Sequence, residues 1–161
     1  MSRKINRTHY YYGSQEDFEK AISGMRLIKG LEKQGINAHL LRWFIHPETC
    51  KIVRLINLEQ SYLHPDRYTW TETFYDPNST LGFSKTGHKL VKIGGKTFAL
   101  HRIIALTYVH NPSPEEKPIV AHKNVLKRDC RASNLVWVSR KELKSFKQRT
   151  FPLKLNLKRK S

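Results

Sequence analysis

Between residues 88 and 109 the chain has little freedom of local structure. Residues His88-Lys89-Leu90-Val91-Lys92-Ile93 read as a short strand of mixed polar and apolar residues, Gly94-Gly95 follows, and Lys96-Thr97-Phe98-Ala99-Leu100 reads as a second. Two adjacent glycines can both take positive φ, which a two-residue hairpin turn requires, so this spacing predicts a tight β-hairpin. His101 to Val109 then reads as a short helix, ended by Asn111-Pro112-Ser113-Pro114. A proline-bearing loop leads to a short strand, Ile119-Val120-Ala121-His122, and to a polar, basic loop from Lys123 to Ser133. Asn134 to Val138 reads as a second strand, and Ser139 is placed to cap a basic helix from Arg140 to about Lys147.

The N-terminal third has its own pattern. Ser14-Gln15-Glu16-Asp17 is close to a capping box, and Phe18, Ile22, Met25 and Ile28 follow at helical spacing until Gly35. One helix is expected over this stretch, after a polar arm. Leu41, Trp43 and Ile45 alternate, His46-Pro47-Glu48-Thr49 turns, and Val53 and Leu55 alternate again, which predicts a hairpin. The expected organisation is therefore α+β, in four parts. A helix-plus-hairpin region spans 1–57, a connector with short strands 58–87, a strand–strand–helix module 88–147, and a basic tail 148–161. Aromatic residues in the first two parts read as packing, so no chemistry is assigned there.

Charge narrows the partners. The chain has 161 residues, 30 lysines and arginines against 13 acidic residues, and a formal net charge of +17. The excess is +4 over residues 1–60, +3 over 61–110 and +10 over 111–161. A surplus of that size concentrated in one third of a chain points to phosphate, because each phosphate neutralised releases a condensed counterion. The expected contacts are Lys96, Arg102, Lys123, Lys127, Arg128, Arg140, Lys141, Lys144, Lys147, Arg149, Lys158, Arg159 and Lys160. A membrane is not an expected partner: no run approaches the roughly 18 apolar residues of a spanning helix, and Leu153, Leu155 and Leu157 alternate with polar residues after Pro152. The first residues lack the apolar core of a signal peptide, and the only two cysteines, Cys50 and Cys130, read as free thiols. Both features predict an intracellular protein, cytoplasmic or organellar.

A histidine between a short apolar strand and a polar loop, followed by an asparagine on the next strand, is a pairing that metal-assisted phosphodiester cleavage uses. The imidazole takes a proton from water while an oxygen ligand holds a divalent ion. Residues Lys89 to about Ser145 resemble the HNH nucleases of the phage and intron homing-endonuclease type. The phrases that carry the resemblance are Lys89–Phe98, His101-Arg102-Ile103-Ile104-Ala105-Leu106, Val120-Ala121-His122 and Asn134-Leu135-Val136-Trp137-Val138-Ser139, with 12 positions from His122 to Asn134. The resemblance implies a ββα-metal module, His122 as general base, Asn134 as metal ligand, and Mg²⁺ or Mn²⁺ as cofactor.

One departure bears on activity. Members of that family usually have Asp or His just before the catalytic histidine, where this chain has Ala121. Asp129 is the candidate replacement carboxylate. The loop Lys123-Asn124-Val125-Leu126-Lys127-Arg128 also lacks the glycine that the family places there. Two functions are thus expected. The first is a nucleic-acid-binding protein with weakened or lost nuclease activity, its partner DNA, structured RNA or a ribonucleoprotein such as the ribosome. The alternative is an active metal-dependent endonuclease that nicks or cleaves DNA.

Overall fold

The computed structural model describes residues 8–37, 42–56, 68–79 and 82–150, with side chains through residue 146. A five-stranded antiparallel sheet forms the N-terminal layer. Its strands are β1 (Thr8–Gly13), β2 (Arg26–Leu27), β3 (Trp43–Ile45), β4 (Ile52–Ile56) and β5 (Tyr68–Thr73), in the order β1-β5-β4-β3-β2. Helix α1 (Gln15–Ala21) starts in a capping box: Ser14 Oγ accepts from the Asp17 amide, and Asp17 Oδ2 accepts from the Ser14 amide.

The single long helix expected from Ser14 to Gly35 is not formed. It stops at Ala21, and Gly24 turns the chain at φ +75°. Arg26 and Leu27 then pair with Ile45 and Phe44, so the sheet takes the apolar residues that a longer helix would have carried. The expected hairpin is present, with Phe44 opposite Val53 and Ile45 opposite Ile52. Its turn is held by His46 Nδ1, which accepts from the Glu48 and Thr49 amides at 3.1 Å each. Residues 8–13, expected as part of a polar arm, form strand β1 along β5.

The sheet is covered on both faces. On one face Phe18 of α1 packs with Val53, Leu55 and Trp70. On the other, Ile45 and Ile52 enter a larger core with Ile93, Leu100, Ile103, Ile104, Leu135 and Trp137 from the C-terminal half. Full burial of each such aliphatic side chain stabilises the fold by roughly 1.5–3 kcal/mol. Hydrogen bonds cross the same boundary. Tyr108 Oη donates to the Ile45 carbonyl and accepts from the Arg26 amide, and the Ala132 amide donates to the Pro47 carbonyl at 2.8 Å.

The C-terminal half follows the expected order. Strands β6 (Leu90–Ile93) and β7 (Lys96–Ala99) close around Gly94 and Gly95 at φ +58° and +81°. Helix α2 (Leu100–Tyr108) comes next, then strands β8 (Ile119–His122) and β9 (Leu135–Val138), then helix α3 (Arg140–Thr150). Residues β8, β9 and α3 make the strand–strand–helix unit, with Ala121 opposite Val136 and His122 opposite Leu135. Ser139 caps α3 reciprocally: its Oγ accepts from the Glu142 amide, and Glu142 Oε2 accepts from the Ser139 amide. Among the described residues no helix is long and apolar enough to cross a membrane. Cys50 and Cys130 are free and buried.

Candidate metal centre and nucleic-acid surface

Three elements bring three histidines together. The Leu100 amide donates to the Lys89 carbonyl at 2.8 Å, which starts α2 directly over the entrance to β6 and puts His101 against His88. His122 closes β8 at the same place. The His88 and His101 rings stack with centroids 4.4 Å apart, and His122 lies 4.9 Å from His101 and 5.7 Å from His88. One ring nitrogen from each lies within 4.8 Å of the other two. His122 is only 6% exposed, and its Nε2 and the Nδ1 of His101 are buried with no hydrogen-bond partner among the described residues. No carboxylate joins this group among the described residues.

Burial sets the protonation of His101 and His122. It is the main cause that lowers His101 to about 3, with the charges of His88, His122 and Arg102 adding to it. Burial also lowers His122 to about 4, helped by His88 and Lys127 and opposed by Asp129. The net effect favours neutral imidazole at His101 and His122 at neutral pH, the form that offers a lone pair. The unfolded chain protonates His101 and His122 near pH 6.5 and the metal-free folded chain does not, so stability rises with pH across that window. Melting temperature is therefore expected to fall as pH is lowered from 7 to 4.5, by an amount equivalent to about 2 kcal/mol after discounting for solvent screening. His101→Gln should flatten the profile. A melting temperature constant over this range would show that the rings are not held neutral.

Asn134 and Asp129 are placed next to this group but are engaged with the protein. Asn134 is 6% exposed, and its Nδ2 donates to Asn124 Oδ1 and to the Asp129 carbonyl at 2.9 Å each. Its Oδ1 accepts from the Asn124 amide at 3.1 Å. Asp129 takes Arg131 through both oxygens at 2.8 Å, and Asn124 Nδ2 adds a third bond at 2.8 Å. Arg131 above all holds the Asp129 carboxyl down to about 2. The loop turns without a glycine by placing Val125 at φ +63°, a conformation that costs a β-branched residue on the order of 1–3 kcal/mol. The Asn124–Asn134–Asp129 network holds it there. Ala121 is buried at 4% exposure and supplies no donor.

The basic residues divide into two sets. Lys96 donates to the Gln34 carbonyl, Lys127 to the Thr86 carbonyl at 2.6 Å, and Arg102 to the Pro118 carbonyl at 3.0 Å. Arg128 donates to the Pro77 and Ser79 carbonyls at 2.8 Å and lies 4.3 Å over the Phe83 ring. These side chains tie the C-terminal half to the segments around it. Lys123, Arg140, Lys141 and Lys144 are exposed, and their charged groups have no partner among the described residues. The side chains of Lys147 and Arg149 at the end of α3, and all of Lys158, Arg159 and Lys160, lie outside the described residues.

Histidines 88 and 101 carry no candidate role in the sequence reading. Each stands at the junction of two elements, and only the packing of α2 across β6 and β8 shows that they meet.

The profile of the HNH endonuclease family matches residues 98–144. An uncharacterised HNH endonuclease of Acanthamoeba polyphaga mimivirus is 51% identical over 43 residues, which is 27% of this chain and 11% of that protein. No solved structure matches the chain. Residues 98–144 thus carry an HNH endonuclease-like segment. The chain spans about a tenth of the length of the viral relative, so that protein's activity as a whole does not transfer with the match. His101, His122, Asn134 and Asp129 fall inside the matched segment, and His88 falls outside it.

The divalent ion that the family implies can be tested against the donors present. Mg²⁺ and Mn²⁺ favour oxygen ligands, normally with at least one carboxylate. Three imidazoles, an alanine at position 121 and an Asp129 held by Arg131 do not fit such an ion.

Proposed function

We propose that this chain binds the sugar–phosphate backbone of nucleic acid through its HNH-type module, and that Mg²⁺-dependent hydrolysis is weak or lost. The observation that carries the reading is the pairing of two facts at one place. Among the described residues, Lys123, Arg140, Lys141 and Lys144 stand exposed around β8 and α3 with their charges unpaired, while the histidine expected to act as base has a buried Nε2 and no carboxylate in its group.

Backbone binding follows from charge and position. Exposed ammonium and guanidinium groups on one helix and the adjoining loop neutralise successive phosphates without reading base edges. Glu142 is the only acid among the described residues of α3, and it is turned to Lys117 at 3.3 Å and to the Ser139 amide. It therefore opposes the field less than a free carboxylate would. Structured RNA, alone or in a ribonucleoprotein, presents the same phosphates as duplex DNA, and the basic tail favours a partner large enough to run along.

The hydrolytic alternative needs His122 to receive a proton from water and an oxygen ligand to hold the ion. A general base must lie within hydrogen-bond reach of the proton it takes. A bound divalent ion would stabilise charge developing on the phosphate oxygens. Ala121 removes the side chain best placed to hold it. Supercoiled plasmid incubated with Mg²⁺ is expected to be retarded on a gel but not nicked, by wild type and His122→Ala alike. Ala121→Asp is the variant in which nicking is expected first. Mg²⁺-dependent nicking by wild type that disappears in His122→Ala would establish the active nuclease instead.

A further inference from the structure

We propose that His88, His101 and His122 together bind one divalent transition ion of the zinc class, Zn²⁺, Co²⁺ or Ni²⁺, through one ring nitrogen each. Three observations support it. Their ligand atoms lie within 4.8 Å of one another, come from three separate elements and converge on one point. In a tetrahedral centre with bonds of about 2.0–2.1 Å, nitrogens stand about 3.4 Å apart, so small ring rotations bring the set together. His101 Nδ1 and His122 Nε2 are buried and have no hydrogen-bond partner among the described residues, an arrangement that leaves two ring nitrogens unsatisfied in a low-dielectric interior.

The donor chemistry selects the ion. Borderline cations take imidazole, whereas Mg²⁺ needs oxygen and keeps its waters. A site of three histidines also leaves one coordination position open, as in zinc sites with three protein ligands. His88 enters from the loop before β6, beyond the segment that matches the family profile. The ion would accordingly fasten that loop to α2 and β8, and one of its three ligands lies outside the segment that matches the family profile. Nothing in the proposal depends on nucleic-acid binding or on hydrolysis, so it stands or falls separately from the proposed function.

The test uses the full chain, freed of metal with a chelator and titrated with Co²⁺ and then Zn²⁺. One equivalent of Co²⁺ is expected to give the intense visible bands of a four-coordinate site. Zn²⁺ should displace it, and Mg²⁺ in thousandfold excess should not. Zn²⁺ at about 100 times its dissociation constant should raise the melting temperature by about 5–10 °C. His88→Ala should lower the affinity at least 100-fold, while His110→Ala, at an exposed site, should leave it unchanged. Ring-nitrogen NMR of wild type supplies a readout that needs no variant: the resonances of His88, His101 and His122 should shift together and stoichiometrically. Absence of saturable Co²⁺ bands, or Zn²⁺ shifts confined to other histidines, would overturn the proposal. So would wild-type affinity in His88→Ala.

Discussion

Asn134→Asp is expected to destabilise the protein by about 3 kcal/mol, which lowers the melting temperature by about 6–12 °C for a chain of this size. The amide at position 134 is buried and makes three hydrogen bonds, two as donor to Asn124 Oδ1 and the Asp129 carbonyl and one as acceptor from the Asn124 amide. A carboxylate has the same shape and no N–H. It would face two acceptors across distances that now hold hydrogen bonds, and it would bury a charge that no described cation pairs. The loop from Lys123 to Ser133 would lose the clamp that holds Val125 at positive φ.

This substitution also separates two roles for the residue. A carboxylate ligates a hard cation better than an amide oxygen does, so an Asn134 that served as Mg²⁺ ligand would tolerate aspartate, and Mg²⁺ would restore the lost stability. An Asn134 that serves as loop clamp would be damaged, and Mg²⁺ would not help. Melting curves of wild type and variant, with and without Mg²⁺, decide between them. The clamp requires a large loss that is insensitive to the ion, and an aspartate variant that melts with wild type would contradict it.

Local signals carried much of the C-terminal half. Gly94-Gly95 specifies its turn because only glycine takes both positive φ values without strain, and Ser139 with Glu142 marks the start of α3 because cap and partner are three residues apart. The pairing of His122 with Leu135 follows from two short apolar strands around one loop. Long-range features were not legible in the same way. Strand β1 is rich in exposed tyrosine, and its partner β5 lies about 60 residues onward, so nothing near Thr8–Gly13 announces a strand. Periodicity ran through Gly24 into Met25 and Ile28, yet pairing with β3 there outweighed helix propagation.

The site divides along the same line. Asn134 and Asp129 bound one short loop and are joined by the bond from Asn134 Nδ2 to the Asp129 carbonyl, and their association with His122 came from the family resemblance. The meeting of His88 and His101 with His122 depends on how α2 crosses two hairpins, which no spacing encodes. The basic residues show the reverse problem. Lys96, Arg102, Lys127 and Arg128 look like phosphate ligands in a list of charges, and in the fold each also gives one donor nitrogen to a backbone carbonyl of the protein. Net charge predicts the sign of the partner, and only the fold shows which cations are free to meet it.

The salt dependence of binding tests most directly whether the free cations of this surface meet phosphate. With about four to six phosphates engaged by Lys123, Arg140, Lys141, Lys144 and the basic residues beyond them, log affinity should fall against log salt with a slope of about −4 to −5. Affinity for duplex DNA or structured RNA is then expected to drop by about 10²–10³-fold between 50 and 200 mM salt. Lys141→Glu and Lys144→Glu should each reduce the slope by about one. Lys127→Glu should act mainly on stability, because its ammonium is bound to the Thr86 carbonyl. A slope near zero, or one that Lys141→Glu and Lys144→Glu leave unchanged, would contradict backbone binding by this surface.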